Sequence, residues 1–275
     1  MKKSIILMLA LVLVLTWISL AWAADTSVNV SPDRVDIGFN FQGTELSILG
    51  TVPDHARVYI KVASPNDSML ELNKKGRLGF FWMNVENVSV TAAPKLYQVI
   101  TSDSLDQLPG ELQKKLGLSR DFKQIYTSAK VYKHSESGPV ELPKQDSDRY
   151  VSSLINIYQK SGLYAVKENA VQVTNSRFKA NVKLPPNIPH EKCTVTVYAV
   201  KEGKLVGTAS APLQVNSVGM VKWLSREATY DGPTYGFIAV LIALACGIGI
   251  ALLFSYLDNA LGGGKKKGFN PGASH

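Results

Sequence analysis

Cysteine and histidine are the scarcest chemistry in this chain: two Cys and four His among 275 residues. Cys193 lies in a polar context and Cys246 inside an apolar run, so no internal disulfide is expected between them, and a disulfide-built scaffold is excluded. His55, His134, His190 and His275 are scattered over turns, a loop and the end of the chain. His190 and Cys193 offer one imidazole and one thiolate, too few ligands for a metal centre. The chain also lacks a Gly-x-Ser-x-Gly elbow, a His-Glu-x-x-His pair, a phosphate-binding glycine loop and a Cys-x-x-Cys pair. No catalytic residue, no metal and no cofactor is therefore assigned, and the chain is not expected to be an enzyme.

Charge is missing from two stretches, and these organise the rest. Lys2 and Lys3 precede an apolar run from Ile5 to Leu20, followed by Ala21-Trp22-Ala23. A basic start, an apolar middle and small residues at −3 and −1 make a secretory signal, residues 1–23, with cleavage expected after Ala23. Retention as an N-terminal anchor is the alternative. From Tyr235 to Leu257 no charged residue occurs. A helix over that stretch is about 34 Å long, enough for a hydrocarbon core of about 30 Å. Tyr230, Tyr235 and Tyr256 stand at its edges, where amphipathic rings favour the interface. A glycine run and then Lys265, Lys266 and Lys267 come next, and basic residues directly after a span mark the cytoplasmic side. The expected topology is single-pass, with the domain before the span exported and residues 258–275 forming a cytoplasmic basic tail.

The formal net charge of +8 needs the same division, because five lysines at the two ends supply most of it. The remainder is only mildly basic, so the charge does not argue for a nucleic-acid partner. Between the ends, three zones are expected. Residues 24–101 form a first β part: Val35, Ile37, Phe39 and Phe41 alternate, as do Val58, Ile60 and Val62, and Val88, Val90 and Ala92. Turns are placed at Ser31-Pro32-Asp33, Gln42-Gly43, Pro53-Asp54, Ser64–Asp67 and Lys75-Gly76. Residues 102–162 change period and read as a helical insertion. It has a short helix near Pro109–Leu116 and a second capped by Ser119 that carries Phe122, Ile125 and Tyr126. A third starts at Asp146 or Ser147 and is stopped by Gly162. Lys133–Lys144 reads as an exposed loop. Residues 163–218 return to β, with Phe178, Ala180, Val182 and Leu184 alternating and a hairpin around Glu202-Gly203. Residues 219–234 are a juxtamembrane linker. The fold class is mainly β with a helical insertion: an immunoglobulin-like sandwich interrupted in its middle, or two β units with helices between them.

Two patterns carry recognition chemistry. Lys74, Lys75 and Arg77 precede Phe80, Phe81 and Trp82, and a basic turn beside an aromatic strand can hold an oxyanion or an acidic partner surface. The plainer reading is a solvated turn leading into a core strand. In the span, Ala239, Ala243, Gly247, Ala251 and Ser255 recur at every fourth position. Small residues so spaced form a smooth face that admits close backbone approach in lipid, to a second copy or to a membrane-embedded partner.

The chain resembles a family of uncharacterised transmembrane proteins first catalogued in alphaproteobacteria. The resemblance rests on Ser31-Pro32, Phe41-x-Gly43-Thr44-x-Leu46, Gly50, Lys74-Lys75-Gly76-Arg77 with Trp82, and Ala93-Pro94-x-x-Tyr97. It continues through Phe178, Leu184-Pro185, Ile188-Pro189, Val195-x-Val197-Tyr198 and Tyr235-Gly236, and departs at His190-Glu191-Lys192-Cys193. It implies a bacterial inner-membrane protein with a periplasmic domain, associated by gene context with TauE/SafE-type exporters of sulfite or organosulfonates. Three functions are weighed: an accessory subunit of such an exporter, a tethered periplasmic binding or envelope-assembly module, and an exported enzyme with an unrecognised site.

Overall fold

The computed structural model describes residues 26–135, 138–219, 222–223, 226 and 232–260, so the signal stretch and Lys265, Lys266 and Lys267 lie outside the described residues. The chain divides into two compact units, one ending at Ser217 and one beginning at Val218.

The first unit is mainly β. One sheet is ordered β1-β3-β12-β11, from Ser27–Ser31, Thr44–Thr51, Arg177–Leu184 and Val171–Thr174, all antiparallel. A second runs β10-β7-β4-β13-β14-β2, from Tyr164–Lys167, Tyr97–Thr101, Arg57–Ala63, Lys192–Lys201, Lys204–Ser217 and Arg34–Ile37. In it β2 pairs parallel to β14, and β10 parallel to β7. Each sheet interleaves strands from the start and the end of the chain, with β3 beside β12 in one and β4 beside β13 in the other, an arrangement compatible with an immunoglobulin-type sandwich.

Period-two patterning works where one face is buried. Along β12, Phe178, Ala180, Val182 and Leu184 are buried and the residues between them exposed. Alternation fails in β7, where all five residues are buried, and in β4, where Val58, Tyr59 and Ile60 are buried in succession. Their sheet is covered on both faces, and continuous apolar runs are the signature of that environment. The outer cover is helical: α1 (Gly110–Leu116) and α2 (Lys123–Ser128), with α3 (Lys144–Lys160) behind them. Gly117 closes α1 in the left-handed region at φ 68°, and Ser119 Oγ accepts the Lys123 amide at 2.8 Å to open α2. α3 begins at Lys144, two residues ahead of the expected cap, and ends before Gly162.

A ring cluster docks this cover. Tyr97 of β7 meets Phe122 edge-on at 5.9 Å, Phe122 stacks on Tyr164 of β10 at 5.4 Å, and Tyr158 of α3 meets Tyr164 edge-on at 5.1 Å. Buried hydroxyls need partners: Tyr97 donates to the Gly117 carbonyl, and Tyr164 to the Pro94 carbonyl at 2.6 Å. Burial pushes both phenols well above their ordinary range, so they act as permanent donors.

A third sheet, β5-β6-β8-β9, overturns two readings of the sequence. Its strands are Leu70–Leu78, Phe81–Thr91, Lys130–Ser135 and Gly138–Glu141. The stretch Lys133–Lys144 is therefore not simply an exposed loop. Val131 pairs with Val90 and Lys133 with Val88, so a polar segment gains strand structure by filling the edge of β6. The turn expected at Lys75-Gly76 is also displaced. Those residues lie inside β5, and the chain reverses at Gly79-Phe80, where Gly79 supplies φ 63°. Phe39 likewise leaves its alternating set: β2 stops at Ile37, and Phe39 is exposed.

Gly50 shows how tightly the first sheet is set. A Cβ there would lie 2.0 Å from the Ser27 carbonyl oxygen and 2.6 Å from the Phe178 ring. Backbone cannot yield as a flexible side chain does, so Gly50→Ala is expected to cost about 1–3 kcal/mol, the range for overpacking a closed core. Thermal unfolding of the full chain in detergent checks this, against Gly110→Ala, where nothing stands within 4 Å.

The second unit contains α4 (Gly232–Ala260), whose stretch Gly232–Leu257 is long and apolar enough to cross a membrane.

Candidate functional site: a charged cleft and an aromatic hairpin

The β5–β6 hairpin builds both features of interest. Near its base, Leu70, Val88 and Val90 are buried in the core and Leu72 packs partly buried against it. In the middle, a bulge leaves Lys74 opposite Glu86 and Lys75 opposite Asn84, with Val85 unpaired. A bulge adds one residue to one strand and re-aims the side chains beyond it. Past this point, Lys75, Asn84, Arg77 and Trp82 share one face of the ribbon, while Gly76, Met83, Leu78 and Phe81 share the other.

Glu86 is the hub of the cleft. Tyr150 of α3 donates its hydroxyl to Glu86 Oε2 at 2.7 Å, Lys74 Nζ lies 3.2 Å from the same oxygen, and Lys133 Nζ lies 3.2 Å from Oε1. The tyrosine hydrogen bond first, then the two ammonium groups, hold this carboxyl down at about 2. Around it opens a cleft of about 660 Å³, with Leu72, Leu142 and Ile157 as apolar wall and Asp146, Arg149 and Ser153 along α3. Among the described residues neither Arg149 nor Asp146 has an ion-pair partner. Lys74 and Lys133 share the single negative charge of Glu86, whereas Arg149 is the cleft cation with no carboxylate partner among the described residues.

The distal half of the hairpin is apolar and bare. Phe80 is 90% exposed, Phe81 74%, Trp82 73% and Leu78 63%. The turn is solvated and β6 does run into the core at Val88 and Val90, but the rings themselves stay outside it, carried away by the two-residue turn. Lys74, Lys75, Arg77 and Trp82 do belong to one hairpin, but they divide. Lys74 is bound to Glu86, whereas Lys75 and Arg77 have no carboxylate partner among the described residues, and Arg77 Nε donates only to the Gly79 carbonyl at 3.0 Å.

The remaining candidates are spread out. His190 Nδ1 lies 2.8 Å from Ser217 Oγ, while Cys193 is buried in β13 with its thiol pushed up to about 12 by desolvation. Among the described residues, no group of three or more His, Cys, Asp or Glu is placed to hold a metal ion. The sequence reading missed a contact between Ser89 and His134 Nε2. Ser89 is fully buried and no carboxylate among the described residues bonds to His134, so the pair ties β6 to β8 and offers no accessible nucleophile. Along α4, Ala239, Ala243, Gly247, Ala251 and Ser255 are all exposed, and nothing stands within 4 Å of where a Gly247 Cβ would lie.

Residues 26–256 match the family model described as "Putative transmembrane protein (Alph_Pro_TM)". The chain belongs to this family. Its one candidate membrane span among the described residues, Gly232–Leu257, fits a single-pass membrane protein. No curated protein and no solved structure matches the chain.

Glu86 makes stability depend on acid pH in a defined direction. Its folded value of about 2 lies below the ordinary 4.5, so its contribution is complete above 4.5 and is lost as pH falls toward 2. The urea midpoint of Glu86→Gln should lie below that of the parent at neutral pH, and the two should converge as the pH approaches 2. A gap that stays constant across this window would remove Glu86 from the ionic network.

Proposed function

We propose that the chain is a non-enzymatic accessory subunit of the bacterial inner membrane. Its β-rich unit works in the periplasm, and its helix packs against the spans of an integral membrane partner. The observation that supports this most directly is the bare small-residue face of α4. The buried core of the first unit is made of residues from Val30 to Val215. A helix that served only to anchor would need no smooth face from Ala239 to Ser255, whereas close helix packing in lipid does. A multi-span exporter of the TauE/SafE type is the partner class that the family resemblance suggests. Replacing Ala243 and Gly247 together by Leu should abolish recovery of the partner in a mild-detergent pull-down while leaving the protein in the membrane fraction. Undiminished recovery would sink the reading.

The cleft favours a second reading, a tethered binding module. An uncommitted guanidinium beside an apolar wall suits a small amphiphilic anion such as an alkylsulfonate. Under this reading a tailless domain retains binding by isothermal titration, and Arg149→Ala loses at least about tenfold in affinity, as expected when a charge-assisted pair is removed.

A further inference from the structure

We propose that the tip of the β5–β6 hairpin is a lipid-contacting element, which seats its aromatic residues among the headgroups of an anionic bilayer as a membrane contact separate from α4.

Four observations lead there. Leu78, Phe80, Phe81, Trp82 and Met83 form a continuous run interrupted only by Gly79, and all five large side chains are exposed. The tip is a ribbon two strands wide whose rings point outward, and the lining of the cleft stops below it at Lys74 and Glu86. It is therefore a convex wedge, not a groove awaiting a peptide, and a wedge of this size fits into a soft, deformable surface. The rings are Phe and Trp, the side chains that partition to the boundary between headgroups and acyl chains.

Charge selects among surfaces. No Asp or Glu occurs between Lys74 and Val85, while Lys74, Lys75 and Arg77 do. Lys75 and Arg77, the two without a carboxylate partner among the described residues, lie on the same ribbon face as Trp82. Cations set just behind apolar rings match the layering of an anionic leaflet, phosphates outside and hydrocarbon within. An acidic protein surface would satisfy the cations but would leave the rings in contact with polar groups.

A membrane is also within reach. The chain carries a candidate span of its own, covalently joined to the unit that bears the hairpin. Tethering raises the local concentration of bilayer that the wedge meets. This inference is independent of which protein the α4 face packs against.

The test uses the full chain in vesicles, with Cys246→Ala to leave buried Cys193 as the only native thiol. An environment-sensitive fluorophore is attached at Phe81→Cys or, as control, at exposed Phe39→Cys. Vesicles are phosphatidylcholine with or without phosphatidylglycerol, and each is prepared with and without nitroxide-labelled lipid. In phosphatidylglycerol vesicles the label at 81 should shift to the blue and be quenched by the nitroxide lipid. The label at 39 should do neither, and Lys75→Glu with Arg77→Glu should abolish the quenching at 81. Water-like emission at 81 in both lipids would overturn the proposal. So would a blue shift without nitroxide quenching, which would place the tip against protein, either a partner or a second copy.

Discussion

The ring contact among Tyr97, Phe122, Tyr158 and Tyr164 joins β7 and β10 to the helices packed over them. Tyr97 belongs to β7, the strand that stands between the two excursions of the chain. One, from β4 to β7, carries the β5–β6 hairpin; the other, from β7 to β10, carries the helices and the β8–β9 pair. The rings hold the helical cover over β7 and β10, and α3 is thereby kept in place with Tyr150 aimed at Glu86. Because β8 comes from one excursion and β6 from the other, the third sheet is closed by residues far apart in sequence. The cleft, whose wall α3 supplies, thus depends on one aromatic cluster in which the Tyr97 and Tyr164 hydroxyls are locked by the Gly117 and Pro94 carbonyls.

Where a segment has one buried face, its role was legible from residue order. Phe178 to Leu184 alternate and form β12, and Glu202-Gly203 turn the β13–β14 hairpin with φ values of 51° and 74°. The start and stop of α1 follow from Pro109 and Gly117 for local steric reasons. Lys130 to Glu141 were illegible for the opposite reason. Their composition is polar and their strand state comes from a neighbour, since Val131 and Lys133 pair with a β6 edge that nothing local announces. Tertiary pairing overrides weak propensity in such cases.

The site was legible in part. Lys74, Lys75, Arg77 and Trp82 stand on one hairpin, and their chemistry was visible from their order. Their exposure was not, because an apolar run has the same letters whether it fills a core or faces lipid. Glu86 and Tyr150 are 64 residues apart and meet through packing, so no spacing rule brings them together. The best signal was the Gly79-Phe80 pair: a reversal there leaves too few residues for Phe81 and Trp82 to return to the core.

The parallel pairing of β2 with β14 has a mechanical consequence. A pull transmitted from the helix enters the first unit at Ser217, the last residue of β14. The final four residues of that strand, Gln214 to Ser217, are bonded to Arg34–Ile37, and the strand behind them is paired with β13 back to Lys204. A load drawn along the strand stretches these ladder bonds side by side, whereas a terminal strand held only at an open edge would peel away bond by bond. Tension from a laterally moving anchor is therefore shared across the six-stranded sheet before any single hydrogen bond must carry it.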